Sequence, residues 1–175
     1  MRLPALAIAL LSTSCVTKTC WKGGIPMRES EMHAQWGAEV DIMKSANDVK
    51  IYRGLVHPTS RKADYDDQVK KGGWVEFRDF KFHATPVDAK SDTAWKVLEI
   101  YKRSASHEAF APKTSCAGFH PDYALVWSKG GKQRVLQICY GCHEWKYFGP
   151  GGMIHTDIED HTYFHKLLPL LPQEK

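Results

Sequence analysis

The stretch from Asp122 to Phe148 constrains the fold more than any other part of the chain. Three runs rich in β-branched and aromatic residues, Asp122 to Ser128, Arg134 to Cys139 and His143 to Phe148, follow one another closely. Only Lys129-Gly130-Gly131-Lys132 with Gln133, and Tyr140-Gly141-Cys142, separate them. Connections that short join antiparallel strands, because a parallel neighbour needs a crossover of a dozen residues or more. Such a sheet needs an apolar cover on at least one face. The clearest cover is a helix capped by Ser91 or Asp92, in which Ala94, Val97, Leu98, Tyr101 and Ala105 recur at three and four.

Upstream, Asp48 to Val56 reads as a strand that ends at His57-Pro58, and the charged stretch Arg61 to Lys71 reads as a loop. From Trp74 to His83 the apolar phase slips by one residue at Arg78-Asp79. A bulge or tight turn there returns Val75, Phe77, Phe80 and Phe82 to one face. After Gly149-Pro150-Gly151-Gly152 the expectation is a carboxy-terminal helix. Asp157 would cap it, Ile158, Phe164, Leu167 and Leu168 would face inward, and Pro169 would stop it. The fold class is therefore α+β: an antiparallel sheet with one or two packed helices, in a single domain over residues 48–175. With 175 residues, 43% of them apolar, the chain has enough core for one such domain.

The first residues give an address. Arg2, an apolar run from Leu3 to Leu11, and the small Ser12, Thr13 and Ser14 form a signal peptide over residues 1–14. Cys15 follows at the position of a lipidated cysteine, although Leu11 lies four residues before it where three is usual; plain secretion is the other reading. Residues 15–47 then form a membrane tether and a loosely held segment, with a weak helical pattern from Glu29 to Met43 that Gly37 interrupts. The expected location is the cell envelope, with the membrane as a partner through a lipid on Cys15 and an envelope protein as a further one. No run of eighteen apolar residues spans a bilayer. The 24 Lys and Arg against 20 Asp and Glu leave +4 with no basic block, so nucleic acid is not an expected partner.

Outside the cytoplasm nearby thiols oxidise unless a metal or cofactor claims them. Cys20 sits in the tether; Cys116, Cys139 and Cys142 belong to the domain. Read as a hairpin, Cys139 and Cys142 face one another across Tyr140-Gly141, with Gly141 supplying a positive φ. Cys116 and His120 complete a Cys₃His set suited to zinc or copper, with His143 next door. The same residues also permit a structural disulfide from Cys116 to Cys139 or Cys142. A third reading is c-type haem, because Cys139-x-x-Cys142-His143 matches the attachment motif, with Met153, His155, His161 or His165 as sixth ligand. Strand-forming neighbours and a short remaining chain oppose it. A redox-active dithiol comes last, since no helix amino terminus is in view to activate a thiol.

His161 and His165 lie four apart beside His155 and Asp157 and form a second metal candidate, while His33, His57, His83 and His107 stand alone. No Gly-x-Ser-x-Gly elbow, His-Glu-x-x-His helix or phosphate loop is present, and the expected role is binding without catalysis.

Cys116-Ala-Gly-Phe-His-Pro-Asp-Tyr-Ala-Leu125 and Leu136-Gln-Ile-Cys-Tyr-Gly-Cys142 resemble uncharacterised exported bacterial proteins. Those carry a Cys-containing segment, a strand, a glycine turn and a strand ending in Ile/Leu-Cys-Phe-x-Cys. The likeness covers about the second half of the chain. Tyr140 replaces the usual Phe, and His143 is an addition. The resemblance implies that the three cysteines are the shared feature and the haem match is accidental; it implies no activity.

Overall fold

The computed structural model describes residues 38–46, 48–87, 92–113 and 118–173. The signal peptide, Cys15, Cys20 and Cys116 lie outside the described residues. Elements run in the order α1 (Ala38–Lys44), β1 (Lys50–Arg53), α2 (Lys62–Lys71), β2 (Trp74–Phe77), β3 (Phe80–His83), α3 (Thr93–Tyr101), β4 (His107–Ala109), β5 (Tyr123–Lys129), β6 (Lys132–Cys139), β7 (Glu144–Gly149) and β8 (Gly152–Ile158). A helical turn, α4 (Asp160–Thr162), continues as a π-helical turn over Tyr163–Leu167. The expected α+β architecture is present. A six-stranded antiparallel sheet has the order β1-β5-β6-β7-β8-β4, and a separate hairpin pairs β2 with β3.

The turns follow from their residues. Gly130 and Gly131 both take positive φ, +58° and +71°, the requirement of a two-residue hairpin between β5 and β6. Arg78 and Asp79 do the same at +52° and +68°, pairing Phe77 with Phe80. That tight turn cures the phase slip: Val75, Phe77, Phe80 and Phe82 share a cluster with Ala124, Val135 and Phe148.

Alternation along the strands gives the main sheet two different faces. Leu125, Trp127, Leu136, Ile138, Trp145, Tyr147 and Ile158 point to the core face, where α3 lays Val97, Leu98 and Tyr101 over them. The terminal segment adds Tyr163, Leu167 and Leu171. On the opposite face, the β2–β3 hairpin covers one half. The other half carries a buried charge network: Lys113 Nζ lies 2.7 Å from Asp157 and 3.4 Å from Glu144, and His155 Nε2 lies 2.8 Å from Glu144.

Three expectations are corrected. Arg61 to Lys71 is not a loop: α2 forms there without a buried residue, and pairs such as Lys62–Asp66 at 2.5 Å stand in for the missing apolar stripe. No helix starts at Asp157. Ile154, Thr156 and Ile158 alternate with His155 and Asp157, so the chain runs as β8, and Glu159 caps the turn by accepting from the His161 and Thr162 amides at 2.9 and 2.8 Å. The domain also begins before Asp48. Met43 of α1 is fully buried in the core, and Glu39 accepts a hydrogen bond from the Arg134 Nε at 2.7 Å and another from the Tyr147 hydroxyl.

Candidate functional site

The site sits at the end of β6 on the face opposite the core. Ile138 is core, so Cys139 points the other way. The pairing continues to Cys139–Glu144, which makes the connection to β7 four residues long, Tyr140 to His143, rather than two. The His143 amide donates to the Tyr140 carbonyl at 3.3 Å, and it is His143, at φ +51°, that takes the left-handed conformation expected of Gly141. Cys139 and Cys142 therefore do not oppose each other across a ladder. They lie within one turn, where the Cys142 amide donates to Cys139 Sγ at 3.3 Å. Cys142 Sγ in turn donates to the Gly118 carbonyl at 3.5 Å.

Asp122 holds this turn. Its carboxylate accepts from the Tyr140 amide at 2.7 Å, while its own amide donates to the Ile138 carbonyl at 2.8 Å. Burial raises its pKa, opposed by those amides and by His57. On the far side the Tyr140 hydroxyl donates to the Leu171 carbonyl at 2.6 Å, tying the turn to the terminal segment.

Both cysteines line a cavity of about 540 Å³ together with His57, His120, Asp122 and Arg53. Gly54 shapes one wall, because its amide donates to the Asp122 carbonyl at 2.7 Å and a Cβ there would lie 2.1 Å from the Pro121 carbonyl oxygen. His57 opens the loop ahead of α2. Its Nδ1 accepts from the Thr59 and Ser60 amides at 3.1 and 3.3 Å, leaving Nε2 to carry the proton of the neutral ring. The His57 and His120 rings are 4.9 Å apart between centroids. Burial first, and then the neighbouring His57, push His120 down to about 4, so its imidazole is neutral at pH 7.

The structure thus brings His120, Cys139 and Cys142 to one cavity, and His57 and Asp122 join them without having been singled out. The signal for His57 was only its place before proline at a strand end. Asp122 carried none, because its partner is a backbone amide 18 residues away. Among the described residues, no three His, Cys, Asp or Glu side chains are close enough together to hold one ion. The other candidates separate. His155 belongs to the Glu144 network, whereas His161 and His165 sit on the terminal turns with rings 4.7 Å apart.

His143 does not fit the haem reading. Its ring stacks on Tyr163 at 3.8 Å and its Nδ1 lies 3.4 Å from Asp160, on the side of the terminal segment, whereas the two sulfurs line the cavity. An axial imidazole must stand over a porphyrin carried by those sulfurs. His107 is a core residue. Its Nε2 donates to the Tyr101 carbonyl, Nδ1 accepts from the Thr156 hydroxyl at 2.8 Å, and burial, against that carbonyl bond, pushes it down to about 4.

No family model, no curated protein and no solved structure matches this chain.

Proposed function

We propose that the protein is an exported, non-enzymatic binding protein of the cell envelope that holds a zinc or copper ion through Cys139 and Cys142. Export and a lipid on Cys15 rest on the sequence of the first fifteen residues. No helix among the described residues is long and apolar enough to cross a membrane.

The observation that carries the ion is the amide of Cys142 on Cys139 Sγ, within a turn whose two sulfurs line one cavity. The amide hydrogen bond fixes the Cys139 sulfur on the cavity wall, where a soft metal can meet it. Neutral His120 is a ligand that need not first lose a proton. Two sulfurs alone suit copper(I); zinc takes four ligands, and the sequence offers Cys116 and His120 as the others. His120 is not within one coordination sphere with the sulfurs, so zinc must draw it inward.

The test is metal content. The reduced full chain, loaded with zinc or copper(I) and passed through a desalting column, should keep one equivalent. Cys139→Ser and Cys142→Ser should each lose it, and His120→Gln should lose zinc more than copper(I). Equal retention by the Cys139→Ser/Cys142→Ser double variant would overturn the reading.

A further inference from the structure

Away from the sulfurs, the cavity wall presents donors, because its side-chain acceptors are already taken by backbone amides. His57 Nδ1 accepts from the Thr59 and Ser60 amides, so the polar group its ring has left is Nε2–H. Gln68 Oε1 accepts from the Val56 amide at 3.0 Å. That bond fixes which end of the side-chain amide is oxygen and leaves its NH₂ group over. The Asp122 carboxylate accepts from the Tyr140 amide at 2.7 Å. It is the one carboxylate among the described residues that line the cavity, beside two arginines, Arg53 and Arg61. Arg61 holds Asp64 through Nε and Nη2 at 2.9 and 2.8 Å, so Nη1 is the edge it keeps for a second acceptor. Ser60 and Arg61 also stand at the start of α2, which has no side-chain cap there, and the amino end of a helix favours negative charge.

We propose that the cavity is the binding site of a small anion, one that brings carboxylate or phosphate oxygens to His57 Nε2, the Gln68 amide and Arg61. Such a ligand is all acceptor and negative charge, which is what a wall of donors with spent acceptors recognises. A cationic ligand would meet two arginines and a single carboxylate already engaged by an amide. The volume of about 540 Å³ is that of a small-molecule site, and a bare ion held at the two sulfurs leaves most of it unfilled. The donors belong to the segment between β1 and α2 and to α2 itself, whereas the sulfurs belong to the β6–β7 turn. The anion site therefore goes beyond the proposed ion and does not rest on it. Binding is reversible and involves no covalent step, in keeping with a binding protein.

The experiment uses the reduced full chain, freed of metal on a chelating resin and desalted. It is titrated by calorimetry with citrate and, separately, with inorganic phosphate, at an ionic strength held constant with sodium chloride; glycerol is the neutral control. One equivalent of either anion should bind saturably, and glycerol should not. Citrate alone would assign a carboxylate ligand, phosphate alone a phosphate one, and both would assign the shared anionic chemistry. Gln68→Glu keeps an oxygen for the Val56 amide but turns the donor into a like charge, so it should weaken binding about tenfold or more. Arg61→Gln, at a half-exposed side chain, should weaken it severalfold and decides the matter if Gln68→Glu fails to fold. Lys62→Ala removes the neighbouring charge, which does not line the cavity, and should leave binding unchanged. Three results would overturn the proposal: neither anion binds, Gln68→Glu binds as well as the wild type, or Lys62→Ala weakens binding as much as Arg61→Gln, the mark of a diffuse field. Because the chain is metal-free, failure to retain zinc or copper leaves this result untouched, and the reverse also holds.

Discussion

The two faces of the main sheet are made by alternate residues of the same strands, yet they are built to different ends. On the core face the large side chains are aromatic, and three tyrosine hydroxyls close on nearby carbonyls or a carboxylate: Tyr147 on Glu39, Tyr140 on Leu171, Tyr123 on Pro172. Trp145 sits at its centre, edge-on to Tyr101 with centroids 5.1 Å apart. The opposite face holds the thiols, the His57–His120 pair and the buried Lys113–Glu144–Asp157 network. Polar groups taken from water destabilise a fold unless partnered. Both faces bury polar groups, Arg134, His107 and Thr156 with the core and Gln137, Glu144 and Asp157 opposite it, but the cavity lined by the two thiols belongs to the opposite face alone.

The largest expected effect lies on the core face. Trp145→Ala should cost about 3–5 kcal/mol in urea unfolding, because a fully buried indole leaves a cavity among packed rings. Cys142→Ala should cost far less while abolishing metal retention. If the two variants lost similar stability, the division of labour between the faces would be wrong.

Acid should act next. His107 titrates near 6.5 in an unfolded chain and is pushed down to about 4 by burial in the fold. Between those values the unfolded chain binds a proton that the folded chain refuses, so stability is complete above about pH 6.5 and falls as pH drops toward 4. The loss from this core residue should reach roughly 3 kcal/mol. His120 is lowered in the same direction, but it lines an open cavity and should contribute less. Unfolding curves of His107→Gln and His120→Gln across this range measure both. A pH dependence carried mainly by His120 would break the comparison.

Gly54→Ala should cost about 1–3 kcal/mol, since its Cβ would lie 2.1 Å from a backbone oxygen that cannot swing away. Pro121 lies between His120 and Asp122. The same variant should therefore weaken metal retention, measured by elemental analysis, whereas Trp145→Ala at native-favouring temperature should not.

The sheet was legible in the sequence because alternation and glycine turns are local signals; Gly130-Gly131 alone fixes a register. The site was legible only in part. Cys139 and Cys142 are neighbours in the chain, and His120 precedes a strand that pairs with theirs. His57 reaches the cavity because β1 pairs with β5, a contact between segments some 70 residues apart that no local pattern announces. β8 escaped because its exposed Met153 and its polar His155 and Asp157 dilute the alternation of Ile154, Thr156 and Ile158.

The smallest effect separates the two ways a helix is held. α3 is fixed by Val97 and Leu98, both fully buried, while α2 buries nothing and so carries no apolar stripe that marks a helix in the sequence. Lys62→Ala removes the Lys62–Asp66 pair, whose side chains are 73% and 57% exposed, and should cost at most about 0.5 kcal/mol. α2 nevertheless supplies part of the cavity wall, because Gln68 Oε1 accepts from the Val56 amide at 3.0 Å just ahead of His57. The variant should leave metal retention unchanged if that single bond and the Trp74 indole on the Val69 carbonyl hold the helix in place. A fall in retention without a fall in stability would instead assign the placement of His57 to the surface charges of α2.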